Sequence, residues 1–413
     1  MTNENYFRYK ELKRQFVFNY KGFDLDRILA LYIWTWANTN EYHFWLLKFF
    51  FKSIDYTFLE NIQSEYVFYT DETRKDHNTT FCQVAERITD KYEVINKSKG
   101  LKYPLHLSIF NIITSLTFSI SHVKNLCIIK RILVAGYICM YLNTIDNLLQ
   151  LNIRDVKKFV TYSAIHEKQN LLIQFFRLKG AHVFGLSHGA QFVYCKNIPI
   201  DCLNYENLDV DCLVWGQMTK DEYIKYGIEE NRLFVAGYPK KYKPSSLISA
   251  KPLKRCIVLL CRETFDNSNV RLLNTISKFV GNYEFSLKLH PSCDFAKYST
   301  MSKKMGVKII PKDVMITECM NNQKFDFAIA VNTTTYYEIM MAGIPCLRFK
   351  DGDAFDLMPG EPNDVFSSTG DFERCIAWLN DNLINGNYDK TRNKLLERAM
   401  GIGLDNYHKI LVE

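Results

Sequence analysis

From residue 155 to residue 349 the chain alternates short apolar runs with helical stretches, and this restricts the fold more than any other feature. Lys158–Ala164, Ala181–Ser187, Asp211–Trp215 and Arg232–Ala236 read as strands, with helices over His166–Leu178 and Thr219–Tyr226 between them. The pattern restarts with strands over Arg255–Cys261, Glu284–Leu289 and Val307–Ile310, separated by helices over Asn269–Phe279 and Phe295–Lys304. Strands of this kind joined by helices argue for βαβ units and parallel sheets. Between the two series lies Tyr238–Lys254, with three prolines and five lysines, which is linker composition. The expected fold class is α/β, two Rossmann-like domains facing a cleft. The expected boundaries are a domain at 1–240 with a helical N-terminal region, a domain at 253–388, and a C-terminal helix at 389–413 with Gly401 and Gly403 as a break. Clefts between domains are preferred ligand sites.

Upstream, residues 1–60 read as mostly helical, and the aromatic-rich run from Phe23 to Ile54 is expected to be core. Its alternative is a membrane-facing patch carrying Lys48 and Lys52. Ser64–Thr70 is the first clear strand, ending at Asp71-Glu72-Thr73, and Tyr92–Asn96 is a second. Tyr103–Val123 is apolar, free of Asp, Glu, Lys and Arg, and approaches the length of a membrane span. Because it holds His106, Asn111 and His122 among several hydroxyls, it is expected to be a buried core helix instead. Periodicity does not assign Arg131–Leu142.

The 413 residues are 47% hydrophobic and 14% aromatic, enough for two cores and against disorder. A net charge of +7 without runs of like charge suits phosphorylated substrates or an anionic membrane surface. No nucleic-acid partner is expected, since Tyr242 alone interrupts the lysines of 240–254. Twelve cysteines without a CxxC pair fit neither a zinc site nor a disulfide framework, and suit a reducing cytosol. The polar N-terminus does not read as a signal peptide. No GxxxxGK[ST], no GxGxxG after a strand, no GxSxG and no HExxH occurs, which argues against P-loop, dinucleotide, elbow-hydrolase and zincin chemistry. Asp209-Val-Asp211 and Asp351-Gly-Asp353 do not by themselves indicate a metal.

The chemistry concentrates at strand ends. Phe325–Val331 is a buried strand that runs into Asn332-Thr333-Thr334-Thr335, then a short helix with Glu338, then Gly343-Ile-Pro345 and another strand. A hydroxyl-rich turn opening a helix at the carboxyl end of a strand suits a phosphate, or simple capping by Thr333 or Thr334. The strand ending in His290-Pro291-Ser292 delivers an imidazole to the same sheet edge, where it can donate to an anionic oxygen or protonate a leaving phosphate. In the first half, His166-Glu167 and His188-Gly189 each follow a strand, and either side chain suits a general base. Asp71-Glu72 is a further carboxylate candidate, with an ordinary solvated turn as its alternative.

Together, the two-domain layout, His290-Pro291 and the NTTTYYE…GIP stretch resemble the GT-B glycosyltransferases. More narrowly they resemble the bacterial group using CMP-activated sugars: sialyltransferases, polysialyltransferases and capsule Kdo transferases. Ala181–Pro239, with LSHGAQF, VWGQ and VAGYP, is similar to surface and capsule polysaccharide transferases. The resemblance covers roughly residues 155–385. It implies that His290-Pro291 and Asn332, Thr333, Thr334, Thr335 and Glu338 bind the phosphate side of a nucleotide-sugar donor in the second domain. It implies an acceptor glycan, free or lipid-linked, on the first domain, with no cofactor beyond the donor and no essential metal. The family's acidic motif, two carboxylates and a glycine, finds its nearest match in Asp71-Glu72-Thr73, with Thr73 in the glycine's place. The catalytic base therefore stays open among His188, Glu167 and Asp71. The expected role is capsule or lipopolysaccharide synthesis in the cytoplasm, with peripheral contact at the inner face of the membrane. Alternatives are a CDP-glycerol or UDP-sugar transferase, and a non-catalytic nucleotide- or sugar-binding protein.

Overall fold

The computed structural model describes residues 3–413 except 42, 72–74, 89–90, 98, 163–165, 188, 191–205, 226, 242–251, 315, 317, 320–324 and 353–357. Its frame is two parallel sheets of six strands each. The first comprises β1 (Tyr66–Thr70), β2 (Tyr92–Asn96), β3 (Lys158–Tyr162), β4 (His182–Leu186), β5 (Asp211–Val214) and β6 (Leu233–Val235). They lie in the order β2-β1-β3-β4-β5-β6, every neighbouring pair parallel. The second comprises β7 (Arg255–Leu259), β8 (Glu284–Lys288), β9 (Lys308–Ile309), β10 (Phe327–Ala330), β11 (Cys346–Phe349) and β12 (Val365–Phe366). Their order is β9-β8-β7-β10-β11-β12, again all parallel.

Each sheet has one point where the chain reverses its direction of growth. The chain leaves β1 for β2 at the edge, then returns to the other side of β1 with β3. In the second sheet it runs from β7 through β8 to β9, then returns beside β7 with β10. The helices after β1 and β3, or after β7 and β10, thus cover opposite faces, and a crevice opens between the carboxyl ends of those two strands. Strands such as β3, β4 and β10, buried along nearly their whole length, explain why they read as unbroken apolar runs.

The carboxyl ends of the two sheets face each other. Ala190, Trp215 and Tyr238 of the first domain share a core with Tyr336, Tyr337 and Met340 of the second. A β-carbon built on Gly189, just past β4, would stand 3.7 Å from Thr334 Oγ1 across the domain junction. The architecture is the expected one, α/β with two Rossmann-like domains facing a cleft. The C-terminal chain ties the halves together. The helix Asn387–Met400 stops at Gly401, and the helix Tyr407–Val412 returns to the first domain. There Asn406 Nδ2 donates to the Val235 carbonyl at 2.9 Å and Tyr407 Oη to the Gly237 carbonyl at 2.9 Å.

Two expectations for the N-terminal region need correcting. The core helix is Ile128–Gln150, which includes the unassigned Arg131–Leu142, and not Tyr103–Val123. It is long and apolar enough to cross a membrane by length and composition, yet 72% of its apolar window is buried inside the protein. The helix Ile109–His122 packs on it with its polar side inward. Asn111 Nδ2 donates to Asn143 Oδ1 at 2.9 Å and Asp146 Oδ2 at 2.8 Å, and Ser119 Oγ donates to the Arg131 carbonyl at 2.7 Å. Polar groups read as evidence for a core, Asn111 and Ser119 among them, are buried because they find partners, while Ile109, Phe110, Ile113 and Ile120 of the same helix face outward. The aromatic run divides in the same way. Leu46, Phe49 and Phe50 are buried, whereas Phe44, Trp45, Leu47 and Phe51 are exposed.

Candidate active site

In the first domain the crevice lies between the ends of β1 and β3. Asp71 follows β1 directly, and the helix Glu167–Leu178 starts soon after β3, so the topology brings both carboxylates to one edge. Gln169 Nε2 donates to Asp71 Oδ1 at 2.8 Å and fixes it. Glu167 stands in the first turn of its helix, where the dipole favours a negative charge.

Tyrosines surround these carboxylates. The hydroxyls of Tyr56 and Tyr69 are held well above the ordinary range, first by burial and then by nearby groups that include Asp71 and Glu167. Tyr32 is pushed up to about 12, by burial first and then by Glu167. Tyr56 Oη, Tyr69 Oη, Thr161 Oγ1 and Gln169 Oε1 are buried without a hydrogen-bond partner among the described residues. Tyr69 and Thr161 lie at the ends of β1 and β3, and Gln169 opens the adjoining helix. Buried polar atoms without partners are uncommon in folded proteins, and their gathering here marks a place shaped for polar contacts.

Beside Glu167 opens a cavity of about 630 Å³. Its walls include Tyr32, Trp45, Phe49, Tyr103, Tyr137 and Tyr141, and Lys48, Lys52 and Lys168 add positive charge. Aromatic faces with a few charged groups suit the stacking of a sugar ring that carries an anionic substituent.

In the second domain the crevice lies between the ends of β7 and β10, flanked by β8. His290 follows β8 and is exposed. Ser292 N–H donates to its Nδ1 at 3.2 Å, and Ser292 Oγ lies 2.9 Å from the same nitrogen. An Nδ1 that accepts a backbone N–H leaves the proton of the neutral ring on Nε2, which makes Nε2 a donor. Pro291 occupies the turn that ends the strand. Asn332 adopts a left-handed φ of 36°, and its Oδ1 accepts from Met358 N–H at 3.2 Å. A non-glycine residue at positive φ at a strand exit is strained backbone of the kind that gathers at ligand sites.

The hydroxyl turn caps its own helix through Thr333, as the capping alternative expected. Thr334 occupies the N-cap position and makes no side-chain cap hydrogen bond. Thr333 Oγ1 accepts from Thr335 N–H at 3.3 Å and lies 3.2 Å from Thr335 Oγ1, so the three residues form a compact local turn. The helix that follows, Thr335–Met341, has seven residues. Glu338 is held by Lys240 Nζ at 2.8 Å and lies 3.5 Å from Tyr238 Oη, which joins the second domain to the chain leaving β6.

The structure thus sets Asp71 and Glu167 past the ends of the neighbouring strands β1 and β3, and His290 and Asn332–Thr335 past the ends of β8 and β10, with β7 between them. His188, Glu72 and Thr73 lie outside the described residues. Two features escaped sequence reasoning. Arg262 follows β7, the strand that lies between the His290 strand and the threonine strand, and its guanidinium stands 5.9 Å from the Phe265 ring; a basic residue directly after CIVLLC was the available signal. The aromatic cavity had no such signal, because its walls come from segments more than a hundred residues apart.

No protein-family model matches the chain. No curated protein matches it. Among solved structures it is similar to Anabaena Alr3699/HepE in complex with UDP-glucose, at 11% identity over 84% of this chain and 97% of that one, with a TM-score of 0.47. It is also similar to lipopolysaccharide outer core galactosyltransferase WaaB in its apo form, at 12% identity over 83% and 97%, TM-score 0.43. A third is Methanocaldococcus jannaschii UDP-GlcNAc 2-epimerase in complex with UDP-GlcNAc and UDP, at 12% identity over 84% and 97%, TM-score 0.41. At these identities and scores no residue or ligand is carried over to this chain.

Proposed function

We propose that this chain is a glycosyltransferase that moves a sugar from a nucleotide donor to a glycan acceptor, in the assembly of a capsule or lipopolysaccharide. The observation that carries this reading is the opposition of two strand-end crevices. One bears paired carboxylates beside an aromatic cavity, and the other bears His290 and the threonine turn.

In the proposed reaction Glu167 takes the proton of an acceptor hydroxyl held in the aromatic cavity. The acceptor oxygen then bonds to the anomeric carbon as the bond from that carbon to the donor phosphate oxygen breaks. The phosphate leaves with the electron pair, and the Nε2 proton of His290 and the hydroxyls of Thr333–Thr335 stabilise its growing charge. Glu167 is preferred over Asp71 because it lines the cavity, whereas Asp71 is held by Gln169. His188 is the third candidate, and Glu338 orients the junction between domains through Lys240. These donors make a metal unnecessary to the scheme.

The donor proposed first is CMP-linked, of the sialic acid or Kdo type, on the strength of His290-Pro291 and the threonine run. A UDP-linked or CDP-linked donor is the second reading. It is favoured by Arg262, a permanent cation that suits the extra charge of a diphosphate, and by Thr73 in place of a glycine. The enzyme is proposed to work in the cytoplasm.

Calorimetric titration with CMP, CDP, UDP and GDP tests the reading. Binding of CMP that His290→Ala abolishes supports the first donor. A preference for UDP or CDP moves the donor assignment to the second reading, and no binding to any of the four removes the transferase in favour of a non-catalytic protein.

A further inference from the structure

We propose that the face built by residues 44–51, 102–113 and 120–132 docks on a membrane bearing anionic lipid headgroups. Exposed large apolar side chains are not spread evenly over this protein. Of the 22 among the described residues, 14 lie between Phe44 and Ile132, so they form one region and not a scatter. Leu105 is 80% exposed, Leu107 70%, Ile109 67% and Phe110 68%.

These residues share one surface. His106 N–H donates to the Phe51 carbonyl at 3.0 Å, and Lys52 bridges to Leu105, which joins the 3₁₀ helix Phe44–Phe51 to the loop before the helix Ile109–His122. On that helix Ile109, Phe110, Ile113 and Ile120 fall on one outward stripe at helical spacing. Asn111 and Ser119 are turned inward, onto Asn143, Asp146 and the Arg131 carbonyl, and Ser115 is buried with them. A helix in water has the opposite sense.

Charge and side-chain type identify the occupant. Residues 43–54 and 101–145 contain Lys48, Lys52, Lys102, Lys124, Lys130 and Arg131 and no Asp or Glu, the bordering acids being Glu41 beside His43 and Asp55 beside Lys102, while Lys130 and Arg131 are engaged by backbone carbonyls. Lys48, Lys102 and Lys124 are exposed around the apolar region. A protein partner or a second copy has no need of a single sign of charge, whereas an anionic bilayer does. Trp45 and Tyr103 are both exposed here, with Lys48 Nζ 5.3 Å from the Trp45 ring, and such amphipathic rings favour the headgroup level of a bilayer. Trp45, Lys48 and Tyr103 also line the cavity beside Glu167. Docking would therefore hold the mouth of that cavity at the lipid surface, which suits a lipid-linked acceptor if the transferase reading is right. The docking itself stands on exposure and charge alone.

Vesicle flotation without donor or acceptor tests it, using phosphatidylcholine alone and phosphatidylcholine with about 30% phosphatidylglycerol. The wild type is expected to float with the anionic vesicles and at least about tenfold less with the neutral ones. Phe110→Glu with Ile113→Glu, and separately Lys102→Glu with Lys124→Glu, are expected to lose at least about tenfold in partition while keeping the wild-type melting curve. Failure of the wild type to float with anionic vesicles overturns the proposal. So does equal flotation of both variants, or a solution dimer that Phe110→Glu with Ile113→Glu dissociates. Flotation by a protein that binds no nucleotide would overturn the transferase reading and leave the docking face standing.

Discussion

Three side chains, His290, Glu167 and Asp71, carry the proposed chemistry, and each has an expected signature. His290→Ala is expected to cut donor affinity by about tenfold or more and kcat/KM by about a hundredfold, since a donor to a developing phosphate charge is lost. Calorimetry and initial rates check this. Glu167→Gln is expected to leave nucleotide binding unchanged and to lower kcat by about a hundredfold or more, the signature of a lost general base. Asp71→Asn should cost clearly less if Glu167 is the base; the reverse order would exchange their roles. The sequence made these residues legible because each stands within a few residues of the end of a strand. Arg262 follows one too, but a single arginine after a strand is too common to stand out. Asn332 shows the limit from the other side: its position in the turn was readable, its left-handed backbone was not.

At the scale of elements, strands were legible and the packing of amphipathic helices was not. Most strands of both sheets carry a short apolar run, so sequence locates them to within about two residues, whereas the two-residue β12 was not read. The helix Ile109–His122 was misread because its polar residues bond one another inside the protein, a partnership that no single stretch reveals. Two joints between elements give further tests. Gly401 has a φ of +64°, and a β-carbon on it would lie 2.1 Å from the Trp215 carbonyl oxygen. Gly401→Ala is expected to destabilise by about 2 kcal/mol or more and to loosen the C-terminal helix from the first domain, as seen in melting and in hydrogen exchange of Tyr407–Val412.

Asp326 joins β7 to β10 at their amino ends. Burial acts to raise its carboxyl, but hydrogen bonds from the Arg255 side chain, Arg255 N–H and Lys254 N–H outweigh that and hold it below the ordinary carboxylate range. A depressed folded value means that the unfolded chain binds the proton more readily. The stabilisation is therefore present above the unfolded value near 4 and is lost as the pH falls through the folded value. Asp326→Asn is expected to cost about 2 kcal/mol at pH 7, with the gap to wild type closing under acid. Melting curves at a series of pH values check it.

For the whole molecule, the repetition of one plan places the site. Two sheets each reverse at a single point, and their crevices open toward each other across a junction sealed by Trp215, Tyr238 and Tyr336. The two-domain layout was legible from the restart of the strand pattern after the proline-bearing linker. The aromatic cavity was not, and the apolar face was legible only as the alternative of a patch carrying Lys48 and Lys52. They assemble from segments around residues 32, 45, 103, 137 and 167, which only the fold brings together. The measurement that tests the account most directly is a crystal structure with the preferred nucleotide bound. Its phosphate is expected within hydrogen-bond distance of His290 Nε2 and the Thr333–Thr335 turn, with Glu167 across the cleft. A nucleotide seated in the aromatic cavity, or outside the cleft, would contradict it.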